Sequence, residues 1–243
     1  MKPTLGLPSG TRACLFDLDG VLTQTAKLHA VAWKQMFDCY LRERSQGIGG
    51  TGEPFVPFEL ADYTRYVDGK LRLDGARSFL AARGIVAPEE AIEDLARRKD
   101  ELLVELLRKK HVETYEGSVR FVEAARKAGL RTAVVSASKN CKEVLASAGI
   151  SDLFDVRVDG VVADREHLAG KPAPDTFLAA ARALAVDPAE AAVFEDALSG
   201  VEAGRDGHFG YLVGVDRASQ AAELRQHGAD IVVADLAALL EQP

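Results

Sequence analysis

The 243-residue sequence contains few cysteines, no long apolar run and no excess of basic residues. Its three cysteines, Cys14, Cys39 and Cys141, stand at unrelated spacings, so we expect reduced thiols rather than a disulfide framework. No run approaches the ~20 apolar residues of a membrane span, and the first residues lack a hydrophobic secretion signal. A formal net charge of −7 argues against general nucleic-acid binding. We therefore expect a cytoplasmic protein that binds neither membranes nor nucleic acids.

Hydrophobic residues make up 47% of the chain, enough for a large core. Short, nearly continuous apolar runs are typical of parallel strands that are buried on both faces. Segments with helical spacing separate the later runs, and this alternation predicts a doubly wound, Rossmann-like α/β fold with a parallel sheet. The predicted strands are Ala13–Phe16, 132–135, 192–194, Tyr211–Val215 and Ile231–Val233, and the predicted helices of this part are 119–127, 141–148, Asp175–Leu184 and 198–205.

The pattern changes between residues 25 and 111, where no strand is predicted. Helical periodicity at 28–41, 75–82 and 88–110 predicts an α-helical cap domain inserted after the first strand. The core domain is then discontinuous, with residues 1–24 and 112–243. Residues 45–57 are rich in Gly and Pro and are predicted to form a loop between two cap helices. The charge run at residues 97–100 is interpreted as a solvated helix face.

Two carboxylates follow the first predicted strand, in the sequence Asp17-Leu18-Asp19-Gly20. Ligands bind at the carboxyl ends of the strands in doubly wound sheets, so both side chains are expected at the ligand edge. One carboxylate can attack an electrophile while the other transfers a proton, and a divalent cation would offset their repulsion. The same residues also suit an Asx-turn followed by a helix cap.

Polar residues also follow the strand at 132–135. Ser136 places a hydroxyl at the same edge, and Ser138, Lys139 and Asn140 open the next helix. Backbone N–H groups, hydroxyls and an ammonium group in this arrangement can hold a phosphate. For Ser138 taken alone, a helix N-cap is the favoured interpretation.

Two further segments bring charge to this edge. Lys171 precedes the helix at Asp175–Leu184 and is positioned to neutralise a phosphate, although a loop lysine is usually only solvated. Glu195 and Asp196 end the strand at 192–194 and offer oxygen ligands to a hard cation such as Mg²⁺. For Asp196, helix capping is the alternative.

Together the segments D-L-D-G-V, V-V-S-A-S, G-K-P-A-P-D and F-E-D-A-L-S-G resemble, in this order, the four motifs of the haloacid dehalogenase-like (HAD) superfamily. The resemblance covers nearly the whole chain. It implies that Asp17 is a nucleophile that becomes an aspartyl-phosphate and that Asp19 is the general acid/base. It further implies that Ser136 and Lys171 hold the phosphoryl group. The implied Mg²⁺ ligands are Asp17, the backbone carbonyl of Asp19, Glu195 and Asp196.

A finer similarity, to the β-phosphoglucomutase-like subfamily, lies in residues 17–25, 136–140 and 170–175 with His29 and Trp33. It implies a second phosphate site formed by Arg72, Ser138, Lys139 and Asn140, and close backbone approach at Gly69. Thr25 and His29 would couple cap closure to acid/base alignment. His29 packed against Trp33, Trp33 as a cap core residue and Arg72 as a surface residue are the alternatives.

The implied activity is Mg²⁺-dependent conversion of β-glucose 1-phosphate to glucose 6-phosphate through a 1,6-bisphosphate. The alternative is a HAD phosphatase acting on a sugar phosphate or another small phosphomonoester. The partner is a small sugar phosphate, and a monomer is expected. Asp68 departs from the pattern, because an acidic group near a second phosphate would weaken its binding.

Overall fold

A computed structural model describes residues 5–46, 54–109 and 112–240 of the chain. The chain forms two compact units. The sheet unit comprises Met1–Gln24, Gly69–Leu71 and Val112–Pro243, and the helical unit comprises Thr25–Asp68 and Arg72–His111. The assignment of these parts as a catalytic core and a cap stays a prediction.

The sheet unit contains six parallel strands. They are β1 (Ala13–Phe16), β2 (Arg131–Val135), β3 (Val156–Val158), β4 (Ala191–Glu195), β5 (Tyr211–Val215) and β6 (Ile231–Val233), in the spatial order β3-β2-β1-β4-β5-β6. On the central strand β1, Phe16 lies opposite Val134 of β2 and Phe194 of β4. The residues that follow β1, β2 and β4 therefore meet at one edge of the sheet.

Helices cover the sheet on both faces because successive strand residues point to opposite sides. On one face, Leu15 and Val193 belong to a buried cluster with Phe177. On the other, Phe16 stacks on Phe194 with ring centroids 4.4 Å apart, and Phe121 packs against both rings. The helices of the sheet unit are α5 (Glu116–Lys127), α6 (Cys141–Ser147), α7 (Gly160–Glu166), α8 (Asp175–Leu184), α9 (Leu198–Asp206) and α10 (Ala221–His227). The predicted doubly wound α/β class is confirmed.

The helical unit contains α1 (Ala26–Gln46), α2 (Leu60–Asp62) with a π-helical continuation at Tyr63–Val67, α3 (Arg72–Ala82) and α4 (Glu89–Lys109). Aromatic rings form its core, with Phe37 stacked between Trp33 and Phe58. Among its described residues there is no strand, as the sequence predicts. Of the predicted 45–57 loop, residues 45 and 46 end α1, and residues 47–53 lie outside the described residues.

The sequence prediction missed several short elements, namely β3, α2 with its π-helical continuation, α7 and α10. Strand β3 has only three residues, and Arg157 at its centre interrupts the apolar run. Helices α7 and α10 have seven residues each, and the sequence analysis identified no apolar period in either of them. Across the described residues, no helix has both the length and the apolar character needed to cross a membrane.

Candidate active site

The carboxyl ends of β1, β2 and β4 hold the first residues of the candidate site. The sheet hydrogen bonding continues one residue past β1, where the Asp17 N–H donates to the Phe194 carbonyl at 3.0 Å. Ser136 is anchored in the same way, because its N–H donates to the Val158 carbonyl of β3 at 3.0 Å. The rigid sheet thus fixes the backbone of both residues.

Lys171 forms the centre of a buried ionic cluster. Its ammonium group donates to Asp17 Oδ1 at 2.6 Å, to Glu195 Oε1 at 2.5 Å and to the Val135 carbonyl at 3.1 Å. The side chain is only 2% exposed. Burial alone would lower the pKa of Lys171, but the charges and hydrogen bonds of the two carboxylates raise it above its ordinary value. Lys171 therefore stays protonated between two carboxylates.

Asp17, Glu195 and Asp196 bring carboxylate oxygens within 4.8 Å of one another, and all three are buried. The ammonium group of Lys171 contacts two of these three carboxylates, and the excess of negative charge suits a divalent cation with oxygen ligands. Burial raises the pKa of Glu195, and the charge of Lys171 opposes the rise. The donor set fits Mg²⁺, and the carboxylate of Asp19 is not part of this cluster.

The conformation of Gly20 lets the first loop approach the acidic cluster. Gly20 has φ +100°, and a Cβ atom there would lie 1.8 Å from Asp196 Oδ2. A side chain would therefore occupy the space that the Asp196 carboxylate fills. This close approach explains why glycine follows the second aspartate in the motif.

Asp19 and Ser136 lie within hydrogen-bond distance of each other. Ser136 Oγ donates a long hydrogen bond of 3.4 Å to Asp19 Oδ2 and accepts one of 3.1 Å from the Ser138 N–H. Asp19 is half-buried, whereas Asp17 is buried. The more accessible carboxylate is the one to which the sequence assigns proton transfer.

The predicted phosphate-binding segment forms a tight turn before α6. Ser138 Oγ accepts a hydrogen bond of 3.2 Å from the Asn140 N–H, and the Gly160 N–H donates to the Ser138 carbonyl at 3.2 Å. The ammonium group of Lys139 is paired with Asp164 of α7. These contacts give the segment a structural role, and its binding of phosphate stays a prediction.

In the helical unit, His29 contacts Lys99, a residue that the sequence analysis did not select. Nδ1 of His29 lies 3.1 Å from the ammonium nitrogen of Lys99. Burial lowers the pKa of His29 well below its ordinary value, and Lys99 lowers it further. His29 is thus neutral near pH 7, and Nδ1 accepts the hydrogen bond from the ammonium group.

Lys99 corrects the interpretation of residues 97–100 as a solvated helix face, because its side chain is buried and Asp100 is half-buried. A signal for this burial was present in the sequence. Lys99 continues the apolar stripe of α4, in which Ile92, Leu95 and Leu103 recur at helical spacing.

The other predicted residues of the helical unit have well-defined partners. Arg72 forms an ion pair with Asp100 at 2.6 Å. Thr25 is buried at the start of α1, where its carbonyl accepts hydrogen bonds from the Leu28 and His29 N–H groups. Trp33 is 3% exposed and stacks on Phe37, and this burial favours its core role over the predicted substrate contact.

Gly69 lies against the start of α9, and Leu71 lies against the loop before α8. Gly69 has φ +71°, and a Cβ atom there would lie 2.5 Å from Ser199 Oγ. A Cβ atom on Gly170, next to Lys171, would lie 2.4 Å from Leu71 Cγ. The predicted close backbone approach at Gly69 is thus to residues near Glu195 and Lys171, and a contact with substrate stays a prediction.

Comparisons with known proteins show the family and the fold. The model of the haloacid dehalogenase-like hydrolase family matches residues 11–208. Curated proteins of Mycobacterium bovis and Mycobacterium tuberculosis, both named β-phosphoglucomutase, are 55% identical over 249 residues, covering 97% of this chain and 94% of each relative. The solved β-phosphoglucomutase of Clostridium difficile aligns with a TM-score of 0.77 at 25% identity, over 94% of this chain and 93% of that chain. CbbY of Rhodobacter sphaeroides, solved in complex with xylulose 1,5-bisphosphate, has the same fold, with a TM-score of 0.70 at 23% identity over 96% of this chain and all of that chain.

Proposed function

Because the chain belongs to the haloacid dehalogenase-like hydrolase family, we propose that it is a Mg²⁺-dependent β-phosphoglucomutase. The substrate is β-glucose 1-phosphate and the product is glucose 6-phosphate. Residues 1–24 and 112–243 act as the catalytic core, and residues 25–111, of which Gly69–Leu71 belong to the sheet unit, act as its cap. The 55% identity to relatives named β-phosphoglucomutase supports this substrate over other phosphomonoesters.

The observation that carries the proposal is the geometry of Asp17. One carboxylate oxygen is held at 2.6 Å by a buried ammonium group, and the next charged residue along the chain is the more accessible Asp19. An oriented, buried carboxylate beside a second carboxylate suits nucleophilic attack on phosphorus with proton transfer by the neighbour. Charge compensation and positioning are the main requirements of phosphoryl transfer.

In the proposed cycle, phosphorylated Asp17 gives its phosphoryl group to the C6 hydroxyl of β-glucose 1-phosphate. Asp19 accepts the hydroxyl proton as the new P–O bond forms and the aspartyl P–O bond breaks. The resulting 1,6-bisphosphate turns over within the site. Asp17 then attacks the phosphorus at C1, and Asp19 returns the proton to the sugar oxygen, which restores the phosphorylated enzyme and releases glucose 6-phosphate.

Ser136 and Lys171 hold the transferring group in this cycle. Lys171 brings its positive charge to the attacking carboxylate, and the Ser136 hydroxyl lies next to Asp19. Asp17, Glu195, Asp196 and the Asp19 carbonyl would hold Mg²⁺, which when bound offsets negative charge on the phosphoryl oxygens. Both oxygens of Glu195 already accept hydrogen bonds, from Lys171 and from the Ala197 N–H, so Glu195 also orients Lys171.

A mutase needs a second phosphate site, which we assign to Arg72 with Ser138, Lys139 and Asn140. The planar guanidinium group of Arg72 is suited to bidentate phosphate binding. Thr25 and His29, next to the start of α1, couple closure of the cap to the position of Asp19. Closure would keep water away from the aspartyl-phosphate.

A phosphatase acting on a sugar phosphate or another small phosphomonoester is the second candidate function. Two of the predicted phosphate-binding residues already form ion pairs, which favours this function. Arg72 is paired with Asp100, and Lys139 is paired with Asp164. A distal phosphate would have to compete with these carboxylates. Hydrolysis needs only Asp17, Asp19, Ser136, Lys171 and Asp196, because water then attacks the intermediate.

Phosphorus NMR distinguishes the two functions. The protein is incubated with Mg²⁺, β-glucose 1-phosphate and a catalytic amount of glucose 1,6-bisphosphate, and both sugar phosphates and free phosphate are followed. We expect glucose 6-phosphate with little inorganic phosphate, and no conversion by the Asp17→Asn variant. Inorganic phosphate as the main product would identify a phosphatase, and turnover retained in Asp17→Asn would contradict both functions.

A further inference from the structure

The loop after β5, residues 216–220, contacts both motif loops of the acidic edge. Arg217 Nε donates to the Gly20 carbonyl at 2.8 Å, and Gln220 Nε2 donates to the Asp196 carbonyl at 2.9 Å. We call these residues the β5 loop. The sequence analysis did not select either side chain, because no motif includes them.

The two carbonyls that the β5 loop binds belong to segments that touch each other. The Asp196 carboxylate fills the space beside Gly20 in which a side chain would otherwise lie. Gly20 directly follows the proposed acid/base Asp19, and Asp196 is a proposed metal ligand. The β5 loop therefore binds the backbone of both acidic motifs, at Gly20 and at Asp196, where the two motifs contact each other.

Arg217 also connects the two chain segments that lead to and from the helical unit. Its guanidinium carbon lies 3.5 Å from the ring centroid of Tyr115, and its Nη1 donates to the Ala234 carbonyl at 2.7 Å. The Tyr115 N–H in turn donates to the Leu22 carbonyl at 2.9 Å. All of these residues lie in the sheet unit. One side chain thus fixes residues of both connecting segments to the body of the sheet unit.

The β5 loop is itself held in one conformation. Asp216 Oδ1 accepts hydrogen bonds from the Gln220 N–H at 2.9 Å and from the Ala218 N–H at 3.3 Å. The Asp216 N–H donates to the Val233 carbonyl of β6 at 2.9 Å. Ser219 has φ +58°, a conformation that non-glycine residues adopt only where the surroundings enforce it. The two donors are therefore presented by a well-defined frame.

The contacts of Arg217 require a guanidinium group. It donates along two directions while its plane lies over an aromatic ring, and a lysine ammonium group does not combine these contacts. Within the described part of the chain, Nη2 of Arg217 is buried without a hydrogen-bond partner. An unsatisfied buried donor is unfavourable, so Nη2 offsets part of the stabilisation that the other contacts of Arg217 provide.

From these contacts we infer that Arg217 and Gln220 are positioning residues for phosphoryl transfer, which set the spacing of the Asp19 and Asp196 segments through the backbone at Gly20 and Asp196. The inference rests on the proposed function of the acidic edge. It applies equally to the mutase and to the phosphatase, because both use Asp17, Asp19 and Asp196.

The first test measures turnover of an aryl phosphomonoester, p-nitrophenyl phosphate, with Mg²⁺, since this reaction needs no sugar site. We expect Arg217→Lys and Arg217→Ala to lower kcat by about tenfold or more while KM changes by less than about threefold. Gln220→Ala is expected to lower kcat and to raise the Mg²⁺ concentration for half-maximal rate. In the double variant Arg217→Ala/Gln220→Ala the effects should be non-additive, because the two contacted segments touch.

Arg225→Ala is the matched control. Arg225 lies in α10, the helix that follows the β5 loop, and is exposed; among the described residues its guanidinium group donates to the Ala221 carbonyl of its own helix. We expect its kcat to stay within about twofold of the parent value.

The second test is independent of turnover and uses hydrogen–deuterium exchange read by peptide mass. In Arg217→Lys we expect faster exchange of amides in residues 18–24 and 112–115, with strands β2 and β4 unchanged. Isothermal titration with Mg²⁺ alone should show weaker binding to Gln220→Ala than to Arg225→Ala. If the role of the two residues is merely structural, the variants should have a lower unfolding midpoint. Their kcat in the folded state, local exchange and Mg²⁺ affinity should then equal those of Arg225→Ala.

The outcomes separate this inference from the proposed function. Suppose that the parent protein turns over the aryl phosphate and Asp17→Asn does not. If the Arg217 variants then match Arg225→Ala in kcat and in hydrogen–deuterium exchange, the inference is wrong. If the parent shows no Asp17-dependent turnover, the proposed function fails, and exchange and Mg²⁺ titration still decide whether the β5 loop positions the two segments.

Discussion

The ammonium nitrogen of Lys171 lies 2.6 Å from Asp17 Oδ1, although 154 positions separate the two residues in the chain. The same nitrogen lies 2.5 Å from Glu195 Oε1. Lys171 is therefore the charge partner of two buried carboxylates from two strands. Its removal would affect the stability of the fold as well as the chemistry.

We expect Lys171→Met to abolish phosphoryl transfer and to lower the free energy of unfolding by about 3–5 kcal/mol at neutral pH. The reason is that two buried carboxylates lose the charge that compensates them. Urea denaturation without Mg²⁺ measures the change.

Lys139→Met is the control for Lys171→Met, because Lys139 forms an exposed ion pair with Asp164. We expect it to change stability by less than about 1 kcal/mol. Equal effects of the two variants would contradict the central role of Lys171.

Because Gly20 lies so close to the Asp196 carboxylate, we expect a methyl group at position 20 to lower both stability and activity. In Gly20→Ala the added Cβ would overlap the Asp196 carboxylate, so we expect a loss of about 2 kcal/mol or more in stability and of most phosphoryl-transfer activity. Urea denaturation and the aryl phosphate assay measure these two effects.

Gly10→Ala separates the steric effect at Gly20 from the backbone effect. Gly10 has φ +101°, nearly the same as Gly20, but a Cβ atom there would meet no atom of the described residues within 4 Å. We expect Gly10→Ala to retain activity and to lose only the stability due to backbone strain. Similar behaviour of the two variants would exclude the clash with Asp196 as the cause.

The lowered pKa of His29 predicts a pH dependence of stability. Below about pH 6.5 the unfolded chain binds a proton at this residue that the native protein does not bind, so stability falls as pH falls. At about pH 5.5 the parent should have lost more stability, relative to about pH 7.5, than His29→Gln, with about 1.4 kcal/mol as the upper limit. Asp100, which opposes the shift, is present in both proteins and does not distort the comparison.

Trp33 fluorescence is the readout for the His29 variants. It is the only tryptophan in the chain, and its ring lies 5.3 Å from the Lys99 ammonium nitrogen, so it reports on the surroundings of His29. His208→Gln, at an exposed position in the sheet unit, is the control and should follow the parent curve. Parallel curves for His29→Gln and the parent would show that His29 binds protons equally in the native and unfolded states, which would contradict a lowered pKa.

Thr176 carries a buried hydroxyl that has no hydrogen-bond partner among the described residues. Thr176→Val removes this polar group at nearly constant volume, so we expect stability to rise by about 1 kcal/mol. Thr132→Val is the control, because the Thr132 hydroxyl donates to the Leu153 carbonyl at 2.7 Å, and we expect a loss of about 1 kcal/mol or more. Urea denaturation of both variants measures the difference, and a loss in Thr176→Val would contradict the prediction.

The sequence predicted the ligand edge of the sheet because its residues directly follow buried strands. Asp17, Ser136 and Asp196 come after runs whose burial is evident from composition alone, and parallel topology brings such positions together. Lys171 was found through the motif that contains it. Its contacts with both Asp17 and Glu195 depend on the course of the loop before α8, which local sequence does not determine.

The residues that sequence reasoning missed owe their roles to distant partners. Lys99 belongs to a run of charged residues, and its burial depends on α1 placing His29 and Trp33 opposite it. Arg217 lies in a short polar loop, and its role depends on backbone carbonyls nearly 200 positions earlier in the chain. The helical spacing of α4 indicates that Lys99 is buried but not which residues it contacts, and no local pattern indicates the role of Arg217.

The contacts of Gly69 and Leu71 restrict which sequences the inserted segment can have. Three residues from the middle of the inserted segment belong structurally to the host, where glycine fits against Ser199 and leucine fits against Gly170. The inserted segment therefore does not form a structural unit entirely by itself. A segment transplanted from another member of the family would have to supply a small residue and an aliphatic residue at matching positions, so the insertion and its host must evolve together.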